Sequence, residues 1–125
     1  MLKKSALLLV IIYTILLTFV SLIKPENIPN IEVSYSDKIF HFLAYCLLTF
    51  FWFCAFFYHF NFKKSKSIIF AAIVSIVFGI IIEVLQDKLT TYRTLDILDV
   101  VANTSGVILA VLVLVINKNI DVKKL

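Results

Sequence analysis

Charge is scarce in this sequence. Of 125 residues, 16% are charged and 62% are hydrophobic. Soluble domains average about 25% charged and about 45–50% apolar. A soluble chain this short has no place for that apolar excess, because small folds bury little of their surface. The same imbalance excludes intrinsic disorder. Cysteine is scarce as well, and two residues, Cys46 and Cys54, cannot build a disulfide scaffold. Eight positions separate them on one apolar run. That is ~12 Å along a helix, beyond the ~7 Å Cα reach of a disulfide. Both read as small apolar side chains. The two prolines, Pro25 and Pro29, fall in one short stretch, as expected where helices stop. Neither a C-x-x-C nor an H-x-x-x-H spacing occurs, so the common zinc signatures are missing. No apolar run alternates with period two, which argues against a small β-barrel.

What the sequence has is four long apolar runs. Ser5–Ile23 holds 19 residues without a charge, and Ile39–Tyr58 holds 20 interrupted by His41. Ser67–Leu85 holds 19 with Glu83 near its end, and Val100–Ile116 holds 17 with Asn103 near its start. About 20 helical residues at ~1.5 Å each cross a ~30 Å hydrocarbon core. Helices are favoured because lipid offers the backbone no hydrogen-bond partner. The expected fold is all-α: a polytopic membrane protein, a bundle of four transmembrane helices at about 5–23, 38–58, 67–86 and 98–116, in one domain over 1–125. Lys3 and Lys4 ahead of the first run could mark a signal peptide. The run exceeds the usual ~7–15 apolar residues and no small-residue cleavage site follows, so it reads as a retained helix.

Orientation follows the Lys/Arg bias of the short loops. Lys3, Lys4, Lys63, Lys64, Lys66, Lys118, Lys123 and Lys124 fall on one side; Lys24, Lys38, Lys88 and Arg93 fall on the other. Eight against four places both termini in the cytoplasm. The acids separate the other way. Glu26, Glu32, Asp37, Glu83, Asp87, Asp96 and Asp99 lie on the outer half, and only Asp121 lies inside. Acids contribute little to topology, so this separation points to a polar site at the outer face.

Three helix ends supply that site. Asp37, His41 and Tyr45 are spaced by four, so they share a helix face. Asp96, Asp99 and Asn103 share another, spaced by three and four. Helix three ends Glu83-Val84-Leu85-Gln86, and Ala71, Ser75 and Gly79 precede Glu83 at four-residue steps. Gly106 and Ala110 continue the side marked by Asn103. Small residues at such spacing let membrane helices approach closely, so the polar residues are expected to point into the bundle. An ionisable group inside a span is a functional-site hypothesis. Plainer roles compete: Asp37 suits a helix N-cap, and Asp96 and Asp99 suit a helix start. Tyr35 and Tyr92 suit interfacial anchors. Arg93, the only arginine, offers a planar fork for a carboxylate or phosphate. The Phe-rich run Phe50–Phe57 with Trp52 reads as lipid-facing and core packing.

Asp37-Lys38-x-x-His41-Phe42-x-x-Tyr45, then Glu83-x-x-Gln86, then Arg93-x-x-Asp96-x-x-Asp99-x-x-x-Asn103-x-x-Gly106 resembles the signature of VanZ-like membrane proteins. The motifs span residues 37–106, in order and each at an outer helix end. Ala110 stands where that family often has a second glycine. The resemblance implies a bacterial cytoplasmic membrane protein; with the four apolar runs and the lysine bias, the chain is expected to be multi-pass with its polar site outward. The family's namesake group is associated with low-level resistance to glycopeptides such as teicoplanin, a phenotype rather than a mechanism.

Two chemistries fit the residues. His41, Glu83, Asp96 and Asp99 supply acid and base groups while Lys38 and Arg93 hold an anion, as a hydrolase or transferase on a phosphate-bearing lipid requires. Thr90, Thr91 and Thr94 are nearby hydroxyls, and none is marked as an activated nucleophile. The favoured reading is binding without turnover: Asp37, Lys38, His41, Tyr45, Glu83, Gln86, Arg93, Asp96, Asp99 and Asn103 hold a membrane lipid, a lipid-linked cell-wall precursor or an amphiphilic antibiotic. A third possibility is a metal, since His41 with Glu83, Asp96 or Asp99 offers nitrogen and oxygen ligands. It is disfavoured because the cluster has one histidine and His59 belongs to the opposite side, so neither a metal nor a cofactor is expected. A transporter is disfavoured, since the acids stop in the outer half. Nucleic acid is disfavoured too: the basic residues that raise the pI are explained by topology and anionic lipid.

Overall fold

The computed structural model describes residues 2–22, 33–89 and 97–117, with side chains over 4–22, 38–88 and 97–117. Among these residues it is helical, without strands. Helix α1 is Leu2–Leu22, α2 is Val33–Cys54, α3 is Lys64–Leu89 and α4 is Ile97–Ile116. All four are long and apolar enough to cross a membrane. They alternate in direction, so α2 and α4 begin at the end of the bundle where α1 and α3 finish.

All four helices run longer than their apolar stretches. The second was expected from about residue 38 and begins at Val33. The third was expected to stop at about residue 86 and continues to Leu89. Hydropathy marks the length in contact with hydrocarbon, whereas the backbone ladder continues wherever the residues tolerate it. One reading falls with the first extension: Asp37 is the fifth residue of the helix that starts at Val33, so it is not the N-cap of α2.

The far end of α2 closes by a different device. Ala55–His59 forms a π-helical turn, with Phe60 N–H donating to the Ala55 carbonyl at 3.1 Å. Asn61 then takes a left-handed φ of 59°, a conformation asparagine tolerates better than most residues. Phe62 N–H reaches back to the Phe56 carbonyl at 3.0 Å. Aromatic rings pack the turn: Phe56 stacks on Phe62 with centroids 5.6 Å apart, and Lys66 Nζ sits 4.3 Å over the Phe62 ring. The Phe-rich run divides as expected, with Phe53 and Phe57 in the core and Phe50 and Trp52 half-buried.

Close helix approach follows the small residues. Ala71, Ser75 and Gly79 on α3 and Gly106 and Ala110 on α4 are all buried. A Cβ on Gly106 would overlap the Phe42 carbonyl oxygen of α2, so only glycine permits this crossing. Outside, Leu9, Ile15, Phe19, Leu43, Ile73 and Leu112 are among many large apolar residues left exposed. Such continuous apolar faces suit lipid as their solvent.

Candidate functional site

The polar end of the bundle is built from three helix segments. On α2, Lys38 and His41 lie one turn apart, with Tyr45 a turn deeper. On α3, Gly79, Glu83 and Gln86 line the facing surface. On α4, Asp99 falls in the first turn, where a carboxylate meets the positive end of the helix dipole, and Asn103 follows one turn below. These four-residue columns turn inward because the small residues between them let α2, α3 and α4 touch.

The result is a cluster sealed from the surroundings. Glu83 is fully buried, and His41, Gln86, Asp99 and Asn103 are each at most 4% exposed. One ligating atom from each of His41, Glu83 and Asp99 lies within 4.8 Å of the others. His41 Nε2 is 3.7 Å from Asp99 Oδ2. Lys38 Nζ pairs with the other oxygen, Asp99 Oδ1, at 3.0 Å. Taking a carboxylate out of water is costly unless it is paired and hydrogen-bonded, and Lys38 provides that pairing for Asp99. The lysine side chain stays 27% exposed, so it closes the cluster from its rim.

Gln86 has a second use. Its Nε2 donates to the Ser21 carbonyl at 2.8 Å, which satisfies one of the open carbonyls at the end of α1. Farther along α1, Tyr13 ties that helix to α2, its hydroxyl donating to the Ala44 carbonyl at 2.7 Å. One turn beneath the cluster lie Tyr45 and Asn103. A Cβ on Gly79 would stand 3.0 Å from Asn103 Nδ2 and 3.1 Å from Tyr45 Cε2, so both side chains converge on that glycine. Tyr45 is also within electrostatic reach of the Glu83 carboxylate. Ser75, one turn deeper on the Glu83 column, is buried with its hydroxyl in the same interface. Sequence reading took Ser75 only as a small packing residue; its place in the i, i+4 column of Glu83 is the signal that it belongs to the polar track.

Lys38, His41, Tyr45, Glu83, Gln86, Asp99 and Asn103 thus lie at one end of the bundle. Arg93 and Asp96 lie outside the described residues, as do Thr90, Thr91, Thr94 and Tyr92, and so do the side chains of Tyr35 and Asp37. His59 belongs to the other end of α2. At that other end Lys64 Nζ donates to the Asn117 carbonyl at 2.9 Å, which suits a cation at the end of a helix.

With this geometry in hand, the comparison with known families is direct. Residues 3–118 match the VanZ/LLP1 family. The chain belongs to that family. Its four apolar helices make it a multi-pass membrane protein of the VanZ/LLP1 type. An uncharacterised protein of the fission yeast Schizosaccharomyces pombe is 33% identical over 84 residues, covering 67% of this chain and 49% of the yeast protein. The match therefore spans about half of that relative's length. It is eukaryotic, so similarity to this VanZ-type chain is not confined to bacteria. No solved structure is significantly similar to the chain.

Proposed function

We propose that this VanZ-family protein holds the polar head group of a membrane lipid, or of a lipid-linked cell-envelope precursor, at the polar end of its bundle. The reading rests on one juxtaposition. An apolar groove between α1 and α2 is lined by Tyr13, Leu16, Leu17, Val20, Phe40 and Ala44. Phe40 at its polar end adjoins His41, their rings 5.8 Å apart, and Lys38 lies half a turn away on the rim of the cluster. A charged cluster and an apolar groove on adjoining faces of α2 suit a molecule with a head and a tail. The acyl chain occupies the groove, and Lys38 exchanges its contact with Asp99 for the phosphate of the head group.

The lysine bias of the loops supports an outward-facing site in a cytoplasmic membrane. A relative in a yeast, which has no peptidoglycan, favours a phosphate-bearing lipid common to both kinds of membrane. A glycopeptide with a fatty tail would compete for the same groove, which is how low-level resistance would arise here. Turnover is the second reading, favoured by the approach of His41 Nε2 to Asp99 Oδ2, a pair suited to acid–base work.

Native mass spectrometry of the purified protein with anionic phospholipid, with and without a chelator, tests the proposal. Saturable retention of one lipid, lost on Lys38→Met and on filling the groove with Leu17→Trp, is expected. Retention that neither change affects would overturn it. Lipid products that vanish with Glu83→Gln and His41→Ala would favour the enzyme.

A further inference from the structure

The convergence of His41, Glu83 and Asp99 carries a second consequence. We infer that these three side chains form a binding site for a divalent transition-metal ion of the Mn2+ or Zn2+ type, with Lys38 as the built-in competitor for the same position.

Distance comes first. Three ligating atoms mutually within 4.8 Å share a point about 2.8 Å or less from each, against the ~2.0–2.3 Å of Zn–N, Zn–O and comparable bonds. Side-chain adjustments of about 0.5–0.8 Å at each ligand, within reach of small rotations, close that gap. The chemistry comes second. One imidazole nitrogen with two carboxylates is a mixed donor set. Imidazole favours zinc, iron and similar ions, while carboxylates suit manganese and magnesium. Both cysteines are elsewhere on α2, so the softer thiolate-binding ions are not selected.

An independent observation points the same way. Asn103 is 2% exposed and Tyr45 fully buried. Among the described residues, neither the Asn103 amide nor the Tyr45 hydroxyl makes a hydrogen bond. Buried polar groups in native proteins are almost always satisfied, and an exception calls for water or an ion. These two sit directly beneath the triad, at Gly79. Metal sites need this kind of outer shell, in which polar groups orient the ligands and the bound waters. Three protein ligands would leave coordination positions open, for water to fill.

Lys38 explains how the site is stable without metal. Its ammonium, 3.0 Å from Asp99 Oδ1, supplies the positive charge a cation would bring. The ammonium is partly exposed, so it can swing outward and open an entry path when a metal arrives. Metal binding is therefore an exchange of one cation for another. The inference concerns the same cluster as the head-group reading without needing it, because the metal is measured on delipidated protein.

The experiment is equilibrium dialysis of delipidated, chelator-stripped full-length protein in detergent against Mn2+ and Zn2+ in turn, with Mg2+ as the comparison ion. One equivalent of Mn2+ or Zn2+ per chain is expected at micromolar metal, at least about tenfold tighter than Mg2+. His41→Gln and Asp99→Asn should each weaken it by about tenfold or more. Lys38→Met keeps every ligand and removes the competitor, so it should bind the metal more tightly. If His41→Gln and Asp99→Asn fail to fold, Lys38→Met alone decides. Absence of stoichiometric binding to the wild type would overturn the inference. So would binding unchanged in folded His41→Gln and Asp99→Asn, or binding that Lys38→Met leaves equal or weaker. Lys38→Met moves the two proposals in opposite directions: it weakens anionic lipid and strengthens metal, so either can fail alone.

Discussion

Lys38 and Asp99, sixty-one positions apart in sequence, are joined by a 3.0 Å ion pair across the polar end of α2 and α4. The pair locks the starts of two helices together while keeping its lysine at the rim. Removing the lysine leaves a largely buried carboxylate uncompensated. Lys38→Met should therefore lower stability by about 1–3 kcal/mol, below the ~3–5 kcal/mol of a fully buried pair because the lysine is partly solvated. Asp99→Asn with Lys38→Met should recover part of that loss. Thermal unfolding in detergent at fixed salt checks both, and a double variant no more stable than Lys38→Met would contradict the pairing.

Gly106 is held to glycine by backbone, and Gly79 by side chains. A Cβ at Gly106 meets the fixed Phe42 carbonyl, whereas at Gly79 it meets the Asn103 amide and the Tyr45 ring. Side chains can give way and a helix backbone cannot do so cheaply. Gly106→Ala should destabilise the bundle by about 1–3 kcal/mol, and Gly79→Ala by less. The same unfolding measurement ranks them, and a reversed order would count against the crossing described for α2 and α4.

Much of this was legible in the sequence. Charge-poor runs gave the four helices, and the steps Ala71, Ser75, Gly79, Glu83 and Asn103, Gly106, Ala110 gave the faces that pack. From those faces the convergence of His41, Glu83 and Asp99 follows. Other features were not legible. The start of α2 at Val33 lies in interfacial residues without hydropathic contrast, and the π-helical turn at Ala55–His59 depends on how aromatic rings pack. Metal ligation was set aside on sequence for want of a second histidine. Three ligands on three helices leave no local spacing to read, so only tertiary structure brings them within 4.8 Å.

Two directed hydrogen bonds tie helix α1 to its neighbours at Gln86 and Tyr13. Gln86→Leu removes the bond to the Ser21 carbonyl and Tyr13→Phe removes the one to Ala44. Each is a side-chain donor to a backbone carbonyl, worth about 0.5–1.5 kcal/mol. Because the bonds lie at separate points along α1, the two losses should add within about 0.5 kcal/mol. Unfolding of the two single variants and the double variant measures this. Wild-type stability in the double variant would show that neither bond holds α1.

Orientation has its own test. The lysine bias places the middle loop in the cytoplasm and the polar end outside. A cysteine introduced at Lys64, in a chain with Cys46 and Cys54 replaced by Ala, should resist a membrane-impermeant thiol reagent in intact cells and react after permeabilisation. Labelling in intact cells would reverse the orientation and turn the site toward the cytoplasm.

The central claim is that His41, Glu83 and Asp99 form one ligand-holding site inside the bundle. An experimental structure of the protein in lipid nanodiscs tests it most directly. The expected result is density held between these three side chains on α2, α3 and α4, as an ion or a lipid head group. Glu83 turned toward lipid, with His41 and Asp99 apart and no density between them, would contradict it.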